Sequence, residues 1–432
     1  MKQYSMIVRG GTPLKGTVTA QGAKNAALTL MPIALLLKGK KWKLSNIPKL
    51  SDTQTMIELL TSLGVKSSRD ENDDGIIFDV PDEVSYNVPE QKARKMRASS
   101  LMLGPLMARC KRVVLPLPGG CSIGSRPIDL HLKGLVQMGA EIEISNGAVH
   151  ARAKRLRGCR IYLDFPSVGA TENLVMAAAF AEGTTTIENT AREPEIFNLT
   201  ETLKAMGVPI EADGTGLIKV TGVEELDNIQ ARVIPDRIEA CTYILSGVIT
   251  GSEVTVKDVM LPHVDALLAK LEEAGCGFTV KDNSITVHPM KKAKGYLPLR
   301  PISVRTLPFP GFPTDVQPQT MAVLALANGV STIHENLFET RFMHVAELKK
   351  MGANIDVSGN LTIIRGVEEF KGARVTATDL RAGAALILAG LAARGETIVE
   401  GFEHVTRGYE SIDSKLSSLG AKVRIEENEI CG

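Results

Sequence analysis

The sequence predicts an α/β protein of two domains, each built from three helix-strand-helix-strand-strand repeats around buried helices. Three observations carry that expectation: one pattern recurs six times, several helices are apolar all round, and the 432 residues hold six copies at 72 residues each. The pattern is an amphipathic segment that ends on Gly, followed by a short strand, a polar turn and another strand. Its copies are Leu60-Thr-Ser-Leu-Gly64, Leu135-Val-Gln-Met-Gly139, Leu203-Lys-Ala-Met-Gly207, Leu271-Glu-Glu-Ala-Gly275, Leu348-Lys-Lys-Met-Gly352 and Leu416-Ser-Ser-Leu-Gly420. The glycines are 75, 68, 68, 77 and 68 residues apart. Each stands where a helix C-cap belongs, with Asn or Asp turn signals about ten residues on.

Each copy also has a front half, a nearly all-apolar helix and then a β-rich run. Leu174–Phe180 precedes Gly183-Thr-Thr-Thr-Ile187, Tyr243–Ile249 precedes Gly251-Ser-Glu-Val-Thr-Val256, and Ala382–Ala393 precedes Gly395-Glu-Thr-Ile-Val399. A helix apolar all round is buried on all sides, whereas the second helix, as in Glu201–Met206, keeps charge on an outer face. Helices therefore form the core and sheets lie outside them. An open solenoid is disfavoured, because solenoid repeats are shorter and their helices rarely lack a polar face.

Composition removes several function classes. Lys and Arg total 50 against 49 Asp and Glu, a formal charge of +1, so no global field holds nucleic acid or an anionic membrane. Aromatic residues make up only 4%, too few for stacked-base recognition. The six cysteines form no C-x-x-C pair, and the His residues follow no ligand spacing, so a thiol-reduced, cytoplasmic protein without a metal site or cofactor is expected. The longest apolar stretches, Ala26–Leu37 and Ala382–Ala393, are too short to span a bilayer. No Walker-type loop and no G-x-G-x-x-G after a strand is present, which argues against kinases, ATPases and nicotinamide dehydrogenases.

Four of the buried helices open on a cation: Lys24, Arg97, Arg237 and Arg381. The helix dipole disfavours a cation there by up to about 1 kcal/mol, so each needs a counter-charge. For Arg237 the adjacent Asp236 is the expected partner. For Lys24, followed by Asn25 with no acid nearby in the sequence, a bound phosphate or carboxylate is expected. The run Pro116-Leu-Pro-Gly-Gly-Cys121-Ser-Ile-Gly-Ser-Arg126-Pro-Ile-Asp129 holds too many Pro and Gly for regular structure and reads as a surface loop. Its thiol, near a guanidinium, is either a reactive group or an inert one, whereas Cys241 and Cys276 on periodic segments read as small hydrophobes. Asp315, ahead of the fifth buried helix, is expected to be an N-cap, and Asp379 beside Arg381 poses the same choice. Arg341, His344 and Arg407 also admit a reading as surface residues.

Taken together, Gly22-Ala-Lys-Asn-Ala-Ala-Leu28, Arg97-Ala-Ser, Leu117-Pro-Gly-Gly-Cys-Ser-Ile-Gly-Ser-Arg-Pro-Ile-Asp-Leu130, Ser167-Val-Gly-Ala-Thr-Glu-Asn173, Pro310-Gly-Phe-Pro-Thr-Asp315, Phe338-Glu-Thr-Arg-Phe-Met-His344, Thr378-Asp-Leu-Arg-Ala382 and Arg407-Gly-Tyr-Glu410 closely resemble the UDP-N-acetylglucosamine enolpyruvyl transferase family, end to end. The resemblance implies two inside-out α/β barrel domains, residues 22–234 and residues 1–21 with 235–432, and an active site in the cleft between them. It implies transfer of the enolpyruvyl group of phosphoenolpyruvate to the 3-hydroxyl of UDP-N-acetylglucosamine, releasing phosphate. In that reading Cys121 donates the proton to C3 and can add covalently to phosphoenolpyruvate or to the epoxide fosfomycin, and Asp315 takes the hydroxyl proton. Lys24, Arg126 and Arg407 bind phosphate and carboxylate. Asn25, Arg97, Arg126, Pro127, Ile128, Asp129, Leu130, Ser167, Val168, Gly169, Asp315 and Leu337 hold the nucleotide sugar, with Arg341, Asp379 and Arg381 supporting.

Two positions depart from the family pattern: Phe165 and Ser51 stand where some members carry Lys, which touches nucleotide contacts and not the chemistry. The related 5-enolpyruvylshikimate-3-phosphate synthase is the nearest rival, and the Gly-Gly-Cys loop and the Ala-Lys-Asn-Ala segment rank it lower. A non-catalytic paralogue that binds the nucleotide sugar is the rival from another class.

Overall fold

The computed structural model describes residues 3–70, 74–117, 128–293 and 295–428. All six repeat glycines carry a left-handed backbone, Gly64 at φ +107°, Gly139 at +96°, Gly207 at +93°, Gly275 at +85°, Gly352 at +97° and Gly420 at +93°. Each ends an outer helix: Ser51–Ser62, Asp129–Gln137, Pro194–Ala205, Asp265–Glu273, His344–Lys350 and Ile412–Ser418. In every copy the residue after Gly donates its N–H to the carbonyl five residues back, from Val65 to Leu60 at 3.1 Å through to Ala421 to Leu416 at 3.0 Å. This is the Schellman cap, and it turns each chain segment from helix into the following strand. The hairpin signals hold locally as well. Asn146 and Gly147, at φ +51° and +71°, join Glu141–Ser145 to Ala148–Arg152 as the two-residue turn that matches strand twist.

Six sheets result among the described residues, five of four strands and one of three. A representative sheet orders Ile210–Ala212, Leu217–Thr221, Thr184–Glu188 and Arg160–Tyr162, the last pair being parallel. That parallel fourth strand is an addition to the five-element repeat read from the sequence. At three residues it is too short to show a period of two, and only its long-range partner defines it. Gln3–Arg9 lies between Glu396–Glu400 and Lys422–Asn428, so the start of the chain completes the last sheet.

The described residues of 3–21 with 235–428 form one compact unit, and those of 22–117 with 128–234 the other. In the first, the helices Arg237–Thr250, Gln317–Leu324 and Leu380–Ala392 pack on one another. Every residue from Ile238 to Ile249 and from Arg381 to Leu391 is buried, so these helices have no polar face to show. In the second unit Leu103–Cys110 packs on both Val168–Ala178 and the 3₁₀ segment Met31–Leu36. The approach there is backbone to backbone, since a Cβ on Gly104 would fall 2.2 Å from the Asn173 carbonyl oxygen. No described helix is long and apolar enough to cross a membrane.

Candidate functional site

Within the unit of residues 235–428, the chemistry gathers around Asp315. Its carboxylate is gripped by two arginines: Arg341 Nη1 donates to Oδ1 at 2.8 Å, and Arg381 Nε and Nη2 donate to Oδ2 at 3.2 and 3.0 Å. Both arginine side chains are 3% exposed, while that of Asp315 is 26% exposed. The N-cap expected of Asp315 is not its role. The 3₁₀ turn Thr314–Val316 starts from Pro313 with no side-chain cap, because Asp315 lies inside the turn and reaches outward to the guanidinium groups. Asp379, in contrast, is a cap, taking the Arg381 and Ala382 N–H groups at 2.8 and 3.0 Å.

A buried polar frame supports this pair of arginines. Arg341 Nη1 also donates to Thr314 Oγ1 at 3.1 Å, and Thr314 donates to Glu335 Oε2 at 2.8 Å. Glu335 further accepts from Thr306 Oγ1 at 2.8 Å and from the Leu337 N–H at 3.0 Å. The Arg381 guanidinium lies 5.4 Å over the Tyr409 ring, whose hydroxyl meets Thr242 Oγ1 at 2.9 Å and Gln319 Nε2 at 3.2 Å. Arg341 and His344 are 3% and 1% exposed, which replaces the surface reading. Burial pushes His344 down to about 4, against a smaller opposing pull from Asp379, so it is neutral at pH 7. Arg407 is half-buried, just beyond the short helix Phe402–Val405. Sequence reasoning missed Glu335, Thr314, Gln319 and Tyr409 as a set. Thr314 and Tyr409 stood in quoted motifs, but nothing local signals Glu335 or Gln319.

In the unit of residues 22–234 the candidate residues sit at helix starts. Lys24 opens the helix Lys24–Leu30 and places Nζ 3.5 Å from Asp52 Oδ2. The sequence shows no acid near Lys24, and the fold supplies one from the start of another helix. Asn25 Nδ2 lies 3.5 Å from Glu195 Oε1. Arg97 opens the 3₁₀ segment Arg97–Met102, and Ser167 caps Val168–Ala178 by accepting the Ala170 N–H at 3.4 Å. Val168 and Gly169 are half-buried, Ile128 is buried, and Asp129 and Leu130 begin the helix Asp129–Gln137. Phe165 is 50% exposed, and Ser51 is exposed at the first position of its helix. Cys121, Arg126 and Pro127 lie outside the described residues.

The fourth cation, Arg237, stacks 5.4 Å over the Phe309 ring, and the Asp236 carboxylate caps the helix, accepting from Ile238 and Glu239 N–H at 2.8 and 3.0 Å. Burial pushes the Cys241 and Cys276 thiols up to about 12 and about 11, so neither forms a thiolate at pH 7. Among the described residues no group of His, Cys, Asp or Glu is arranged to hold a metal ion.

A carboxylate fixed by two buried guanidiniums, on a six-repeat α/β frame with cationic helix starts, is the arrangement of a site for charged substrates. The chain belongs to the EPSP synthase (3-phosphoshikimate 1-carboxyvinyltransferase) family, which matches residues 8–416. It is an enolpyruvyl transferase by that membership. Among its relatives, UDP-N-acetylglucosamine 1-carboxyvinyltransferase 2 of Carboxydothermus hydrogenoformans is 49% identical over 417 residues, 96% of this chain and 98% of that one. UDP-N-acetylglucosamine 1-carboxyvinyltransferase 1 of Caldanaerobacter subterraneus is 48% identical over the same length, with 96% and 98% covered. The crystal structure of the enolpyruvyl transferase NikO from Streptomyces tendae shares the fold, with a TM-score of 0.88 at 24% identity over 99% of this chain and all of that one.

Proposed function

We propose that this protein transfers the enolpyruvyl group of phosphoenolpyruvate to the 3-hydroxyl of UDP-N-acetylglucosamine and releases phosphate, the first committed step of peptidoglycan synthesis, in the cytoplasm. The observation that carries the reading is the Asp315 carboxylate clamped by Arg341 and Arg381, joined to relatives that bear this activity in their names. The guanidiniums aim the carboxylate, so it can accept the sugar hydroxyl proton as that oxygen adds to C2 of the enol. Cys121 gives a proton to C3 in the same step, which leaves a tetrahedral intermediate. Loss of a C3 proton and of phosphate then restores the double bond.

Lys24, Arg126 and Arg407 offset the charge of the phosphate and carboxylate through both steps. Asp52 beside Lys24 tempers that cation and keeps its amine oriented. Lys24, Asn25, Arg97 and Ser167 belong to one unit and Asp315, Arg381 and Arg407 to the other, so we propose that both units act on one substrate pair. The test is phosphate release from phosphoenolpyruvate with UDP-N-acetylglucosamine, with shikimate 3-phosphate, and with neither, beside a fosfomycin-treated sample. Release that depends on the nucleotide sugar and is abolished by the epoxide supports the reading. Release with shikimate 3-phosphate moves the acceptor to the other branch of the family, and no release with either leaves a binding protein.

A further inference from the structure

Asn173 is fully buried on the helix Val168–Ala178 and binds two distant stretches of chain, at Ser100–Gly104 and His131, as well as Gly169 one turn back on its own helix. Its Oδ1 accepts the Gly104 N–H at 2.6 Å. Its Nδ2 faces His131 Nδ1 at 2.8 Å, the Ser100 carbonyl at 3.0 Å and the Gly169 carbonyl at 3.2 Å. An amide has two hydrogens, and the two shorter contacts take them. Oδ1 is bound to a backbone donor, so the amide cannot be turned over without setting two donors face to face. His131 Nδ1 must then accept, which places the ring proton on Nε2. The ring packs close against Gly169, where a Cβ would sit 3.1 Å from its Cε1 and 3.3 Å from its Nε2. Burial, with the charge of Arg97 adding to it, pushes His131 down to about 3, so the ring stays neutral.

These contacts fall on the three segments read as holding the nucleotide sugar. Ser100 follows Arg97 in the 3₁₀ segment, His131 follows Asp129 and Leu130, and Gly169 follows Ser167 and Val168. The segments lie up to 72 residues apart in the chain, and no other fully buried side chain among the described residues hydrogen-bonds to all three. We infer that Asn173 is a positioning residue for the nucleotide-sugar subsite, tying the Arg97, Asp129 and Ser167 segments into one arrangement by holding His131 as its Nε2–H tautomer. The inference rests on the proposed nucleotide-sugar reading and deepens it.

Asn173→Asp keeps the shape and the acceptor for Gly104 N–H, but sets an acceptor against the Ser100 carbonyl and His131 Nδ1. The KM for UDP-N-acetylglucosamine is expected to rise about tenfold or more, as expected for one broken buried contact, while kcat and the KM for phosphoenolpyruvate stay within about twofold. Nitrogen-15 NMR of the histidines should show His131 as Nε2–H in the parent protein and as Nδ1–H in the variant. A purely structural role would lower Tm and leave the two KM values in their parent ratio, and that result overturns the inference. Arg97→Ala separates the two levels. An unchanged nucleotide-sugar KM in that variant sinks the subsite reading, whereas a raised value there with an unchanged one in Asn173→Asp sinks only the role of Asn173. Should Asn173→Asp fail to fold, the parent spectrum decides, and an Nδ1–H tautomer of His131 refutes the assignment.

Discussion

Arg381 directs Nε and Nη2 at the same oxygen of Asp315, at 3.2 and 3.0 Å, and so leaves Oδ1 to Arg341 at 2.8 Å. A guanidinium can grip in this way and an ammonium cannot. Arg381→Lys is therefore expected to lower kcat by about 10²-fold with the fold retained, as when one preorganised electrostatic contact is lost. Steady-state phosphate release, with circular dichroism as the folding control, checks this. Asp315→Asn removes the proposed proton acceptor and is expected to cost about 10²–10⁴-fold in kcat.

Glu239 provides a pH prediction. It is fully buried in the unit of residues 235–428, accepts from the Gln21 N–H at 2.6 Å and faces Lys415 Nζ at 2.7 Å. Burial raises it from 4.5 to about 7, against the pull of Lys415. The folded chain thus holds a proton that the unfolded chain releases between those values. Its contribution to stability is complete below pH 4.5 and fades as pH rises through about 7. The parent Tm minus the Glu239→Gln Tm should fall from pH 5 to pH 8, and a difference that rises would contradict this.

Two glycines separate strain from crowding. Gly352 has φ +97° and open space where a Cβ would go, so Gly352→Ala should cost only the left-handed penalty, about 1–2 kcal/mol. Gly104 has ordinary helical φ, yet its Cβ would strike Asn173 at 2.2 Å. Gly104→Ala should lose more stability in urea than Gly352→Ala, and also raise the nucleotide-sugar KM by displacing Asn173.

Cys121 is the proposed acid and the proposed target of the epoxide. An Asp there can still donate a proton but is a far weaker nucleophile than a thiolate. Cys121→Asp is expected to retain nucleotide-sugar-dependent phosphate release and to escape inactivation by fosfomycin, read as activity remaining after incubation.

Much of this architecture was legible because its signals are local. Gly64, Gly139, Gly207, Gly275, Gly352 and Gly420 announced six helix ends, and the left-handed backbone that only Gly adopts freely is what each place required. The apolar run Ala382–Ala393 declared its own burial. The short parallel strands, such as Arg160–Tyr162, were hidden because two or three residues carry no periodicity. Asp315 was misread as a cap for a related reason, since its arginine partners follow it by 26 and 66 residues in the chain.

By itself the sequence determined the repeat, the buried helices and, through its motifs, the family, since each rests on a few neighbouring residues or on order along the chain. Tertiary structure alone decided which charges meet. It set Asp52 beside Lys24, buried Arg341 and Arg381 against Asp315, and drew Ser100, Gly104, His131 and Gly169 onto Asn173. Coulomb and hydrogen-bond energies depend on distances of a few ångströms in space, and separation along the chain does not encode them.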